Sequence, residues 1–243
     1  MANVCSVGKS GWSAQVANYH PISLTCIACK LMERIINVNL LGYLDQHKLI
    51  SKAQHGFLYR RPTTTNVLET INDLSLTINK SRIASTVYID FSRAFDSVCH
   101  NKLFCKSRSL GIEGNLLSWI ISFLSNRTIR TLVGSALSNS CPLRSGVVQG
   151  CCIGPLLFVL FVNDVEKMFS NSTTTKLFAD DLKLYTELES IGSNAIQQKE
   201  VDLLSYWCIN LQLTISIKNA IFFVGNVSKM HQKDVFINAV CLP

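Results

Sequence analysis

Three of the nine aspartates in this chain, Asp90, Asp180 and Asp181, stand inside or at the end of strongly apolar, strand-like segments. Aspartate disfavours strands, and a lone carboxylate among apolar side chains is costly. Two adjacent carboxylates add mutual repulsion. A fold that keeps all three must therefore offer something positive to offset them. The segment from Ile83 to Phe91 has a period of two: Ile83, Ser85, Val87, Ile89 and Phe91 share one face, and Tyr88 and Asp90 share the other. The segment from Thr175 to Thr186 reads as a hairpin, with strands 176–179 and 182–185 flanking Asp180 and Asp181 at the tip. Such a tip, lying beside the first strand, would bring Asp180 close to Asp90. Carboxylates on adjacent strands can hold two divalent cations about 3.5–4 Å apart, the arrangement used for in-line phosphoryl displacement. Magnesium suits one or two carboxylates completed by phosphate oxygens. The residues alone leave a second reading open, a solvated turn, because Asp is common in turns. Asp96 reads as a turn or cap residue, and Asp164 as a solvated or capping acid on its helix.

The remaining elements follow from periodicity. The stretch 26–49 is a helix in which Ile27, Leu31, Ile35, Val38 and Leu41 recur at three or four. A second helix spans 64–79, with Val67, Ile71, Leu74 and Ile78 on one stripe. Further helices are expected at 115–125, at 155–169 (apolar, with Pro155 in its first turn) and at about 194–210. Extended segments are expected at 130–133 and onward to Gly146, at 211–217 and at 220–225. Helices mixed with hairpins indicate an α+β fold with an antiparallel sheet.

Composition narrows the class further. In 243 residues, 48% are hydrophobic and 16% charged, which excludes general disorder. The formal charge of +7 leans toward a polyanionic partner. There are ten cysteines, and the pair Cys26 and Cys29 forms the one CxxC, so no zinc site is complete. The cysteines read as reduced, small core hydrophobes, and no disulfide-linked partner is expected. Residues 1–13 show no secretory pattern, and the longest apolar run, 153–162, is about half a membrane span. An intracellular setting, nucleus or cytoplasm, and no membrane partner are therefore expected.

Five blocks then stand in a recognisable order: Asn18 to Thr25 (NYHPISLT), Gln54 to Phe57 (QHGF), Tyr88 to Val98 (YIDFSRAFDSV), Ser145 to Gly150 (SGVVQG) with Gly154 to Phe158 (GPLLF), and Phe178 to Asp181 (FADD). From Asn18 to Gly225 the sequence resembles the reverse transcriptase domain of non-LTR, LINE or jockey-like, retrotransposons. The resemblance implies a right-hand polymerase palm, a ferredoxin-like antiparallel sheet with helices on one face, plus partial, mostly helical fingers. It divides the chain into a loose N-terminal end (1–17), a fingers portion (18–82), a palm with inserted fingers elements (83–225) and a truncated C-terminal remnant (226–243). The thumb is expected to be largely absent.

The implied activity is RNA-directed DNA polymerisation: two-metal nucleotidyl transfer from a dNTP to a primer 3′-hydroxyl, with an RNA template and a DNA primer. The implied cofactor is Mg²⁺, two ions, with Mn²⁺ as a substitute. By resemblance, Asp90, Asp180 and the backbone carbonyl of Phe91 hold metal, and Asp181 is the third acid. Phe95 is the steric gate against a 2′-hydroxyl, with simple core packing as its other reading; the gate argues against an RNA-templated RNA polymerase. Gln149 and Gly150 lie along the incoming nucleotide. Lys218 stands near the departing pyrophosphate, with an ordinary surface lysine as its other reading, and Arg60 and Arg61 fit phosphate contacts. His20 stands at the triphosphate-contacting position, where the family usually has Arg, and a neutral imidazole lacks that fork. Val148, Cys151, Cys152, Leu58 and Asn219 also depart from the family pattern. These departures define the alternative readings, an inactive retroelement fragment or a non-enzymatic nucleic-acid-binding remnant.

Overall fold

A computed structural model of the chain describes residues 2–8, 19–59, 61–133, 135–188, 194–216, 220–225, 236–237 and 240–241. In chain order, strands β1 (Ala2–Gly8) and β2 (Tyr19–Leu24) precede helices α1 (Ile27–Gln46) and α2 (Thr63–Asn79). Strands β3 (Ile83–Ile89) and β4 (Phe91–Ser92) lead to helices α3 (His100–Ser109) and α4 (Gly114–Leu124). Strands β5 (Thr128–Val133), β6 (Ala136–Leu137) and β7 (Cys141–Pro142) are followed by helix α5 (Gly154–Val162). Then come β8 (Thr173–Phe178), β9 (Asp181–Leu188), α6 (Asn194–Leu211), β10 (Thr214–Ile215), β11 (Ala220–Val224), and the short pair β12 (Phe236–Ile237) and β13 (Val240–Cys241). These elements form two compact units: Met1–Leu49 with Phe95–Phe161, and Ile50–Ala94 with Val162–Pro243.

In the first unit, β1 runs antiparallel to β2 and parallel to β5. The end expected to be loose is therefore a strand over Ala2–Gly8. It is paired along both edges, and backbone pairing needs no side-chain period.

The core of this unit is organised around α5. From Leu156 to Val162 every residue is at most 2% exposed, as a helix that is apolar all round requires. Both ends of α5 meet a charge of the sign that its dipole favours. At the N-terminus, the buried Glu33 carboxylate of α1 accepts from the Cys152 and Ile153 amides at 2.6 and 3.3 Å. At the C-terminus, Lys106 Nζ of α3 donates to the Phe161 carbonyl at 2.6 Å. This explains why α1 buries Glu33 together with Leu40 and Leu44. The stripe that predicts the helix faces outward instead: Ile27, Leu31, Ile35 and Val38 are all exposed.

The second unit is built on the antiparallel sheet β11-β3-β9-β8. The last strand lies beside the first, and the hairpin β8–β9 pairs through its second strand, the order of a ferredoxin-like β-α-β-β-α-β unit. Helix α2 packs a polar ladder onto this sheet. Asn66 donates to the Leu177 carbonyl, Thr70 accepts from Lys183, Asp73 accepts from Tyr185 and Thr77 donates to Glu187. Three or four residues of helix advance about 4.5–6 Å and two residues of strand about 6.6 Å, so the two periods stay nearly in step. Lys80 and Arg82 also reach Glu187 and hold its carboxyl well down, at about 2. The polar ladder turns the apolar stripe of α2 outward, leaving Val67, Ile71 and Ile78 exposed.

Two further expectations are corrected. The apolar helix stops at Val162 rather than Phe169, and a 3₁₀ turn at Val165–Met168 follows. At that break Asn163 accepts from the Ser51 amide and Asp164 accepts from Trp207 Nε1; such side chains compete with helix continuation. Cysteines 26, 29, 105 and 141 are exposed, whereas Cys151 and Cys208 are buried as expected. Cys26 caps α1 through its sulfur, which places the CxxC pair at an exposed helix start.

Replacing Glu33 with alanine is expected to remove about 2 kcal/mol from the unfolding free energy in chemical denaturation, because it strips a charged acceptor from two buried amides.

Candidate active site

Antiparallel register sets the acidic cluster in the second unit. Ile89 pairs with Leu182 across β3 and β9, so the next pair outward is Asp90 and Asp181. Directly opposed residues share a face, and both line one cleft of about 360 Å³ with Tyr88, Lys176 and Lys183. The hairpin closes between Phe178 and Asp181, which makes Ala179 and Asp180 its two-residue turn. The tip is thus one residue earlier than expected. Asp181 opens β9 and stands opposite Asp90, whereas Asp180 occupies the turn itself.

The Asp181 carboxyl is held above its ordinary value, first by partial desolvation and then by the charge of Asp90. Two like charges thus face one another at the end of a sheet. Lys183 lies behind them, its ammonium pulled down by burial and by Lys176. Its Nζ lies 5.2 Å from the Tyr88 ring centroid.

Phe91, buried on the opposite face, packs 6.4 Å from Trp207 between ring centroids. Ser216 donates to the Asp90 carbonyl at 2.8 Å, and Phe91 pairs with Ile215. Bonded and non-bonded pairs alternate in an antiparallel ladder, so the Phe91 carbonyl points away from β10. Hard oxygen donors of this kind fit magnesium. Among the described residues no group of three or more His, Cys, Asp and Glu side chains is arranged to hold a metal ion. A cation here would therefore complete its shell with oxygens of water or of a bound phosphate.

The other expected residues fall in the first unit, apart from Arg60, Arg61 and Lys218. Phe95 stacks on Phe158 of α5, with centroids 4.6 Å apart and planes 17° apart. The Gln149 side-chain amide donates to Asp96 Oδ1 at 2.8 Å, and the backbone carbonyl of Gln149 accepts from the Ser23 amide at 2.9 Å. Asp96, expected only as a turn or cap residue, is thus the partner that orients Gln149; the pairing crosses 53 residues and leaves no linear signal. Gly150 has φ +90°, and a Cβ there would lie 3.0 Å from the Ser23 carbonyl oxygen. His20 pairs with Val7 through the backbone, and its side chain lies outside the described residues. Arg60 and Lys218 also lie outside them.

Arg61 belongs to the second unit and has a framework role. It donates to the carbonyls of Ser51 and Gln54 at 3.0 and 2.8 Å. It lines a separate cavity of about 650 Å³ with Lys52, His55, Glu69 and Lys176, in which no acid of the FADD motif takes part.

The family described as reverse transcriptase (RNA-dependent DNA polymerase) matches residues 7–228. The RNA-directed DNA polymerase from mobile element jockey of Drosophila melanogaster is 29% identical over 223 residues, which are 88% of this chain and 24% of that protein. The probable RNA-directed DNA polymerase from transposon BS, also of Drosophila melanogaster, is 26% identical over 230 residues, 89% of this chain and 25% of that one. Among solved structures, an apo telomerase from Candida tropicalis, truncated of its C-terminal domain, superposes with a TM-score of 0.66 at 10% identity. The match covers 94% of this chain and 51% of that one. A Candida albicans telomerase in complex with a fragment of telomeric RNA gives 0.66 at 11%, over 99% and 43% of the two chains.

The fold is a polymerase palm carrying paired acids at the end of its sheet. The chain belongs to the reverse transcriptase family, and its relatives include the polymerases of non-LTR retrotransposons. It spans about a quarter of the length of those curated relatives. No described helix is long and apolar enough to cross a membrane.

An acid whose folded value is raised stabilises the fold below its ordinary value of 3.8 and loses that contribution as pH rises. Asp181→Asn is accordingly expected to raise Tm at pH 7, with the gain disappearing as pH falls toward 3.8, when thermal unfolding is followed across pH.

Proposed function

We propose that this chain is the polymerising module of a non-LTR reverse transcriptase, extending a DNA primer along an RNA template with dNTPs. The opposition of Asp90 and Asp181 in one cleft with two lysines carries the reading. Like charges facing one another at a strand end call for a counter-cation, and the neighbouring ammonium groups suit phosphate oxygens. Family membership supplies the reaction class, and the basic formal charge of +7 suits a nucleic-acid partner. The telomerase neighbour in complex with a fragment of telomeric RNA supports the same kind of partner.

In the proposed reaction the primer 3′-oxygen forms a bond to the α-phosphorus, the bond from that phosphorus to the bridging oxygen breaks, and pyrophosphate leaves. Asp90, Asp180 and the Phe91 carbonyl would hold two Mg²⁺ ions, or Mn²⁺ in their place, with Asp181 as the third acid. Bound there, the ions would sharpen the attacking hydroxyl and neutralise the leaving group. Phe95 presents a flat ring held by Phe158 and offers a 2′-hydroxyl no partner. Gln149, oriented by Asp96, with Gly150 beside it, lies along the incoming nucleotide. His20 is assigned to the dNTP phosphates and Lys218 to protonating the pyrophosphate, while Arg61, bonded to the Ser51 and Gln54 carbonyls, stays with the framework. The fingers portion is 18–82 and the palm 83–225, and the module works inside the cell, in nucleus or cytoplasm. The inactive-copy reading rests on His20 standing where the family carries Arg.

Primer extension on an RNA template is the test. Extension should require Mg²⁺ and fall at least about a hundredfold in Asp180→Asn, a loss of the size seen when a charge-stabilising group is removed. Unchanged extension in Asp180→Asn refutes the site. An absence of extension from the unaltered chain, restored by His20→Arg, supports the inactive copy.

Phe95→Val opens room at the sugar. It should raise ribonucleotide incorporation relative to deoxyribonucleotide by about tenfold or more while leaving dNTP use in place, because steric exclusion rests on the ring alone. Competition between labelled rNTP and dNTP reads the ratio.

A further inference from the structure

The block Gln54–Phe57 marks the family but acquires no chemical role from the sequence. We propose that Gln54 is a positioning residue that fixes the acidic turn of the β8–β9 hairpin for cation binding. The inference rests on the polymerase reading of the Asp90 cleft.

The turn needs holding. Ala179 sits at φ +59°, a left-handed conformation that a residue with a Cβ adopts at a cost. Asp180 and Asp181 follow it directly, so repulsion between their carboxylates also works against this geometry. The segment 53–56 runs beside the end of β8 and braces it. Leu177 donates to the Ala53 carbonyl at 2.8 Å, and His55 donates back to the Leu177 carbonyl at 2.9 Å. Gln54 itself forms a parallel bridge with Leu177.

The carboxamide of Gln54 then reaches past the strand end. Its Oε1 accepts from the Gly56 amide at 2.7 Å and from the Ala179 amide at 3.2 Å. Both neighbours are N–H donors, so the atom facing them must be the oxygen. Gly56 makes the close approach possible: a Cβ there would lie 2.1 Å from the Ala179 nitrogen.

Gln54 is 1% exposed, and its Nε2 is buried with no hydrogen-bond partner among the described residues. An unpaired buried amide group is unfavourable. The site retains it because the acceptor must be neutral. A carboxylate would provide the same oxygen but would add charge next to Asp180 and Asp181. Glutamine supplies a long, uncharged acceptor at this reach. The result is a clamp on the residue immediately before the acids, made of one oxygen and one glycine.

The experiment is Mn²⁺ binding to the purified full chain, read by the loss of the free-ion signal in electron paramagnetic resonance, alongside primer-extension kinetics. Four proteins are compared: unaltered, Asp90→Asn, Gln54→Met and Gln54→Asn. Methionine keeps the length and loses the acceptor; asparagine keeps the amide but draws the oxygen back from Ala179. The unaltered chain should bind Mn²⁺ and Asp90→Asn should lose it. Both Gln54 variants should bind at least about tenfold more weakly, the loss typical of an outer-sphere partner. Their kcat should fall while KM for the primer–template stays unchanged. If Gln54→Met does not fold, Gln54→Asn, which keeps a polar amide on a shorter side chain, decides. Gln54 variants that bind Mn²⁺ like the unaltered chain, while Asp90→Asn does not, overturn the positioning role and leave the polymerase reading standing. Mn²⁺ binding that is absent, or indifferent to Asp90→Asn, overturns that reading and the inference with it.

Discussion

The antiparallel register between β3 and β9 is the constraint on which the acidic site depends. Because Ile89 faces Leu182, the next step outward sets Asp90 against Asp181 at the end of the pair. A slip of one residue would turn every side chain of the strand to the other face and dissolve the cluster. Both strands are therefore pinned along their length. Polar side chains of α2 engage Lys183, Tyr185 and Glu187 at the two-residue spacing of β9. Val87, Ile89 and Phe91 are buried on the opposite face of β3 and its continuation. Two carboxylates can be kept in opposition because the framework around them is over-determined.

The first unit solves a different problem. Helix α5 is apolar on every side and so has no polar face to satisfy its own ends. Glu33 and Lys106 supply the two charges, each at the terminus where the helix dipole favours it. The Cys151 thiol, wedged at the same N-terminus, is pushed up to about 12 by burial and by the nearby Glu33. It behaves there as a small hydrophobe that accepts from the Gly154 amide at 3.1 Å.

Most elements are legible in the sequence, but the direction in which two of the helices face is not. Residues 27–46 and 63–79 are helical as their spacing indicates, yet the apolar stripes that reveal them lie outward. A hydrophobic stripe predicts the core face only when the packing partner is apolar as well. For α1 a helix terminus requires Glu33, and for α2 the ladder on β8 and β9 requires Asn66, Thr70, Asp73 and Thr77. Neither partner can be read from the helix itself. The roles of Asp96 and Gln54 were illegible for the same reason, since their bonds span 53 and 125 residues.

What the sequence determined by itself was the class of fold and the placement of scarce acids in apolar strands. Period, turn residues and the cost of carboxylates in strands are local properties, and they survive in a linear string. Tertiary structure alone decided which acid stands opposite Asp90, which residue steadies the turn and which faces are buried. Each of these depends on a partner brought in from elsewhere in the chain, and register, the reach of a side chain and the burial of a helix end come into existence only when the two backbones meet.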